Sequence, residues 1–167
     1  TYTFEYTYGE EGKILGKKSY ADGVIYDSST WDADGNALTA EEYDAEGNLT
    51  KAYRHERNFD ENGLLLTMRT YCNDILIYDY IMTPATLTAT ENKFREDGSA
   101  LSTTVYTYDR SGMLTQELRY QHGALTHKTE YAAHKEKVYP QKEYIYDAAG
   151  NYAACVDKCT YHWKLAF

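Results

Sequence analysis

One ten-residue unit governs what this chain can fold into. From Val105 to Leu114, Tyr106 and Tyr108 alternate with Val105 and Thr107, the period-2 pattern of a strand. Asp109 and Gly112 then occupy the first and last positions of a type I turn. Asp suits the first because its carboxylate accepts local N–H bonds, and Gly suits the last because the backbone there turns left-handed. A type I turn closed by Gly is the common three-residue hairpin connection. Counting outward from it, Tyr108 faces Leu114 across the ladder, so the unit specifies a turn with an aromatic–aliphatic pair beside it.

Copies of aromatic-x-x-x-Gly followed by an aliphatic residue start at Tyr8, Trp31, Tyr43, Phe59, Phe94, Tyr108 and Tyr146, with Tyr152 in the aliphatic place of the last and Ala37 and Ala100 facing Trp31 and Phe94. Between them lie shorter turns at Asp22-Gly23, Asn73-Asp74 and His122-Gly123, which read as two-residue type I′ loops. The shorter spacing still sets Tyr20 against Ile25, Tyr71 against Leu76 and Tyr120 against Leu125. Turn-associated aromatics run from Tyr8 to Tyr146, 138 residues over eleven intervals, a mean near 12.5. A strand of about 7 residues plus a turn fits that period. The expectation is all-β, a single domain over 1–167: an antiparallel meander of about 13 strands built from hairpin repeats, elongated and twisted or curled. A closed barrel or a sandwich is the alternative.

Carried along the strands without interruption, the alternation puts Phe4, Tyr6, Tyr8, Ile14, Lys18, Tyr20, Ile25, Ser29 and Trp31 on one face. It continues through Tyr43, Leu49, Tyr53, Phe59, Leu65, Tyr71, Leu76, Tyr78 and Tyr80. The reverse face is mostly Thr, Ser, Lys and Glu, with Leu64, Leu66, Ile75 and Ile77 as exceptions. One face is thus expected to be buried by the sheet's own curvature while the other meets water. Two segments break the rhythm. Residues 81–86 contain Pro84 and read as a loop or distorted hairpin; residues 132–141 contain Pro140, Lys135 and Lys137.

Val, Ile, Leu and Phe number 27 of 167 residues with a net charge of −9, a balance that by itself points to disorder. The 19 Tyr and 2 Trp tip that balance back toward a folded chain, because their rings supply the missing apolar surface. Each phenol needs water or a partner, so the core should be thin and close to solvent. The acidic balance argues against a nucleic-acid partner, and no apolar run reaches the roughly 18 residues of a membrane span. The chain starts inside a strand pattern, as expected of a trimmed or mature fragment of a larger protein. Cys72, Cys155 and Cys159 form no disulfide framework and read as reduced thiols, although a turn at residues 156–158 would let the last two bond.

The pattern from Tyr43 to Leu49, Tyr108 to Leu114 and Tyr146 to Gly150 resembles the YD repeats of bacterial surface and secreted proteins, the Rhs and teneurin type. It also resembles the shorter tyrosine-rich MORN-like hairpin arrays. The resemblance implies a secreted or surface-anchored bacterial location and a scaffold or ligand-binding role. Rhs-type arrays enclose a cargo, so a shell segment is a further implication.

No motif carries chemistry. Asp32-Ala33-Asp34-Gly35-Asn36 has alternating acids, but Gly stands fourth and Tyr43 takes the twelfth position, so the calcium-loop pattern fails. The five histidines lack ligand spacing, and adjacent acids such as Glu41-Glu42 point to opposite faces of a strand. No cofactor and no metal is expected, and the chain reads as a non-enzyme. Polar residues among the aromatics at Glu41, Lys51, His55, Arg57, Arg69, Gln116 and His127 form a mid-strand strip. It is either the wet middle of a curved sheet, with long stems lying over rings, or a groove for a polar ligand. The candidate ligand-binding residues are Trp31, Arg69, His127 and Trp163, with a carbohydrate or a surface protein as partner. A hydrolase on the same strip is the competing reading, and an open sheet would leave edge strands free to pair with a second copy.

Overall fold

Each sequence repeat becomes one strand and one turn. The structure, a computed structural model, describes residues 1–134 and 137–158. The strands are β1 (Tyr2–Tyr8), β2 (Ile14–Ala21), β3 (Val24–Trp31), β4 (Ala37–Tyr43), β5 (Leu49–Phe59), β6 (Leu65–Cys72) and β7 (Ile75–Thr83). They continue with β8 (Thr88–Phe94), β9 (Ala100–Tyr108), β10 (Leu114–Gln121), β11 (Ala124–His134), β12 (Lys137–Tyr146) and β13 (Tyr152–Asp157). All thirteen lie in one antiparallel sheet in chain order, with β1 and β13 at opposite edges. The sheet is an open, elongated meander, neither closed nor strongly curled. At about 4.8 Å per strand it is on the order of 58 Å across.

The turns follow their sequence chemistry. Asp22 and Gly23, Asn73 and Asp74, and His122 and Gly123 all have positive φ, the requirement of type I′ loops. In the longer turns the Asp carboxylate takes over backbone donors: Asp44 Oδ1 accepts the N–H of Glu46 at 3.0 Å and of Asn48 at 2.8 Å. The Asn48 side chain also donates to both carboxyl oxygens. The same arrangement recurs at Asp32 and Asp147. The Asn48 side-chain and backbone bonds hold the Asp44 carboxyl below its ordinary value. A carboxylate with a lowered folded pKa contributes stability that is present above about pH 4 and lost as pH falls through the folded value. Asp44→Ala should therefore lower the melting temperature at pH 7 and converge on the parent chain in acid; an equal deficit at both pH values would refute the carboxylate's role.

The pairs beside the turns stand as expected. Tyr8 faces Ile14, Trp31 faces Ala37, Phe59 faces Leu65, Tyr71 faces Leu76 and Tyr108 faces Leu114. The segment from Ile81 to Thr83 is regular strand, followed by a four-residue turn in which Leu87 has φ 53°. Pro140 sits within β12 opposite Tyr131, next to an unpaired Gln141, so the ring occupies a break in the ladder.

The single buried face does not survive. In eleven of the twelve strand pairings the register shifts by one residue, in ten of them just past the turn pair and between β11 and β12 beyond Tyr131. Leu15, Leu38, Thr50, Leu66, Leu101 and Thr115 are among the extra, unpaired residues of these β-bulges. A bulge inserts one residue without advancing the pleat, so the face assignment flips between the two ends of each strand. Phe4, Tyr6, Tyr8 and Ile14 therefore lie on one face, here called face A, while Lys18, Tyr20 and Ile25 lie on the other, face B. Ser29 and Trp31 return to face A. Likewise Tyr53, Phe59, Leu65, Tyr78 and Tyr80 are on A, and Tyr43, Leu49, Tyr71 and Leu76 are on B. Apart from the turn after β7, flanked by Thr83 and Thr88, the turns after odd-numbered strands carry an aromatic row on face A, and those after even-numbered strands carry one on face B.

Burial is correspondingly thin. Among the described residues only Cys72 and Ala89 are buried apolar groups, and most rings are half covered by their neighbours. The phenols are satisfied laterally, by carboxylates on the same or the adjacent strand. Tyr20 donates to Glu5 at 2.7 Å, Tyr43 to Glu41 at 2.6 Å, Tyr131 to Glu117 at 2.7 Å and Tyr144 to Glu130 at 3.2 Å. Acidic residues thus serve the core of this sheet as hydrogen-bond acceptors.

Candidate functional site

Small residues on one strand between long ones on its neighbours open a groove on face A. β9 presents Ser102 and Thr104 there, paired on one side with Lys93 and Glu91 of β8 and on the other with Gln121 and Arg119 of β10. Further along, Arg119 faces His127 of β11. The short hydroxyl residues form a floor and the long side chains form two walls, with Tyr106 and Glu117 closing one end. The space is about 310 Å³.

The groove's charges are arranged in two repeats of one device. On β8, Glu91 Oε1 pairs with Lys93 Nζ at 2.8 Å while Oε2 accepts from the Tyr78 phenol at 3.3 Å. On β10, Glu117 Oε1 pairs with Arg119 Nε while Oε2 accepts from the Tyr131 phenol. The carboxylates are largely covered and the cations about half exposed. Burial, then the negative charge of Glu91 and its hydrogen bond, push the Tyr78 phenol up to about 12. Burial, then the hydrogen bond to Glu117, do the same for Tyr131, also to about 12. Tyr106, between the two carboxylates, is raised chiefly by burial and next by their charges. Both acids are committed to a phenol and a cation, so what the groove offers a ligand is hydroxyls, an aromatic ring and cationic tips.

Of the residues singled out from sequence, His127 lines this groove. Trp31 lies on the same face but six strands from the groove floor on β9, in the aromatic row at the end of β3 opposite Ala37. Arg69 is on face B, where its Nε contacts Asp79 Oδ1 at 3.1 Å. Trp163 lies outside the described residues, as do Cys159 and His162. The mid-strand strip is two strips: Lys51, His55, Arg57 and His127 on A, and Glu41, Arg69 and Gln116 on B. The Asp32 turn commits its carboxylate to Asn36 and backbone N–H groups, and among the described residues no group of three or more His, Cys, Asp or Glu is placed to hold a metal ion. Sequence reasoning missed Lys93, Tyr106 and Arg119; the available signal was Glu91-x-Lys93 and Glu117-x-Arg119 flanking the small Ser102 and Thr104.

No family model and no curated protein matches the chain. Among solved structures, the chain is similar to a crystal structure of a protein with unknown function from Bacteroides fragilis, at 10% identity and a TM-score of 0.24. That likeness covers 90% of this chain and 96% of that one, and at such a score it carries no argument.

Proposed function

We propose that this chain is a non-enzymatic repeat module of a secreted or surface-anchored bacterial protein, a scaffold whose face A groove binds a polar ligand of the carbohydrate class. The observation that carries the reading is the groove over Ser102 and Thr104, open along its length, walled by exposed cationic tips and closed at one end by Tyr106. A sugar ring has an apolar C–H face that stacks on an aromatic ring, and hydroxyls that exchange bonds with Ser, Thr, Gln and Arg. The resemblance to YD repeats supports the surface location. The commitment of both groove carboxylates to a phenol and a cation supports binding over turnover.

Calorimetric titration against neutral and acidic oligosaccharides tests this. Tyr106→Ala should weaken binding about tenfold, equivalent to ~1.4 kcal/mol, whereas Tyr106→Phe should retain most of the affinity. Arg69→Ala, on face B, should change nothing. Binding insensitive to Tyr106→Ala would move the site elsewhere, hydrolysis of a bound saccharide would establish an enzyme, and no binding across the panel would leave the scaffold alone.

A further inference from the structure

The charges of the face A groove cancel in sum but are layered in depth. The side chains of Glu117 and Glu91 are 8% and 18% exposed, whereas those of Arg119 and Lys93 are 56% and 52% exposed. Each carboxylate also has a cation on one oxygen and a phenol on the other. A ligand entering the groove therefore meets positive charge above acids that are already committed. Arg119 gives its Nε to Glu117, and a guanidinium carries further donors on both Nη atoms, which lie outside that bond.

The two cations stand diagonally across the floor. Lys93 is paired with Ser102 on one wall, and Arg119 with Thr104 on the other. Each reaches back to the acid two residues before it on its own strand, so both lean toward the Tyr106 end and keep their offset. That offset is about 6.8 Å along β9, one full pleat, and the walls are about 9.6 Å apart, two strand spacings. In an extended chain of equatorially linked pyranoses each ring is turned over relative to the last. Substituents on neighbouring rings then fall on opposite flanks, one residue apart. The groove displays its cations in the same pattern.

We infer that the groove selects an acidic saccharide, an extended chain with uronic-acid carboxylates on neighbouring rings, one carboxylate meeting Lys93 and the next Arg119. The inference rests on the carbohydrate reading of the same groove and names its ligand class. Charge-assisted bonds to a carboxylate are about twice as strong as neutral ones, so these two contacts outweigh those to the ring hydroxyls. Ser102 and Thr104 serve the hydroxyls, and Tyr106 meets the ring at the closed end. A space of about 310 Å³ is near the small end of ligand cavities, so a short stretch of saccharide fills it. The protein's net charge of −9 repels such a ligand at a distance. A preference for acidic over neutral sugar therefore reports contact inside the groove.

The test is calorimetric titration of the 167-residue chain with a glucuronic acid trisaccharide that has the equatorial linkages of cellulose. Cellotriose, the same trisaccharide with each carboxylate reduced to a hydroxymethyl group, is the matched neutral probe. The acid should bind about tenfold tighter than cellotriose. Lys93→Gln should remove most of that preference and leave the affinity for cellotriose in place. Glu117→Gln frees Arg119 Nε while its amide oxygen still accepts from the Tyr131 phenol, so it should tighten the acid alone. A residue that only held the groove's shape would weaken both ligands. Equal affinity for the two trisaccharides, both sensitive to Tyr106→Ala, would overturn the acidic preference and leave the carbohydrate reading standing. Binding of neither would end both readings. Glutarate bound as tightly as the acidic trisaccharide would show an anion site without recognition of sugar, and that too would overturn the inference.

Discussion

Between pH 10 and pH 12 the sheet should come apart as its tyrosines ionise. Tyr78 and Tyr131 have folded values pushed up to about 12 from an ordinary 10.0, and Tyr43, Tyr53, Tyr80, Tyr106 and Tyr108 are raised as well. A group whose folded pKa lies above its unfolded one contributes stability that is complete below the unfolded value, here 10.0, and is lost as pH climbs through the folded one. The physical reason is plain at Tyr131: burial favours the neutral ring, its proton makes the hydrogen bond to Glu117, and removing it sets a phenolate against a carboxylate. Solvent screening moderates each step, because these rings are only half covered. Many such steps fall in one window, and among the described residues the sheet has no second layer to absorb them. Ultraviolet titration of phenolate, followed together with circular dichroism, should show the two transitions coincide. Glu117→Gln should bring the Tyr131 step back toward 10.0. A sheet signal that persists with all tyrosines ionised would show that the phenol–carboxylate bonds do not hold the strands together.

Gly112→Val should destabilise the chain by about 1–3 kcal/mol, through backbone strain alone. Gly112 has φ +82°, and a Cβ built there meets nothing within 4 Å, so no steric cost is mixed in. β-branched residues tolerate that φ poorly. At Gly47, φ is likewise +82°, but a Cβ would lie 3.2 Å from Val24 Cγ1, so Gly47→Val adds a contact that must give way. Met113, beside Gly112, bonds to Asp109 through its backbone, and Met113→Ala should cost less. Denaturant unfolding of the three variants checks the order; an unchanged midpoint for Gly112→Val would mean that this turn is not what positions β9 against β10.

The turns were the legible part of this sequence, because turn chemistry is local. Asp at the start and Gly at the end decide the loop, and the loop decides which two residues face each other beside it. The strand count and the Tyr108–Leu114 type of pair followed from that alone. Which face a residue occupies depends instead on the bulge, a two-strand feature. Its trace in the sequence was the apolar doublets just after the turns, Ile14-Leu15, Leu65-Leu66 and Leu76-Ile77; of their second members, Leu66 and Ile77 looked like exceptions on a polar face. They are the residues that serve the opposite side. The groove was less legible still. Its walls come from β8, β10 and β11, and its depth comes from what β9 lacks, so the small Ser102 and Thr104 mattered more than any residue with conspicuous chemistry. Among the expected binding residues only His127 fell there, since Arg69 changed face with the bulge in β6.

The flip at each bulge has a consequence for how an array of this kind can change length. Going from one strand to the next reverses both chain direction and face, which is the operation of a two-fold screw running across the sheet. One strand with its turn, about a dozen residues, is then the complete asymmetric unit, and neither face is the inside. Gain or loss of a single unit leaves every remaining pair correctly matched, with no requirement that strands come and go in twos. A sandwich or barrel has no such freedom, because there each strand must return its apolar side to a shared interior.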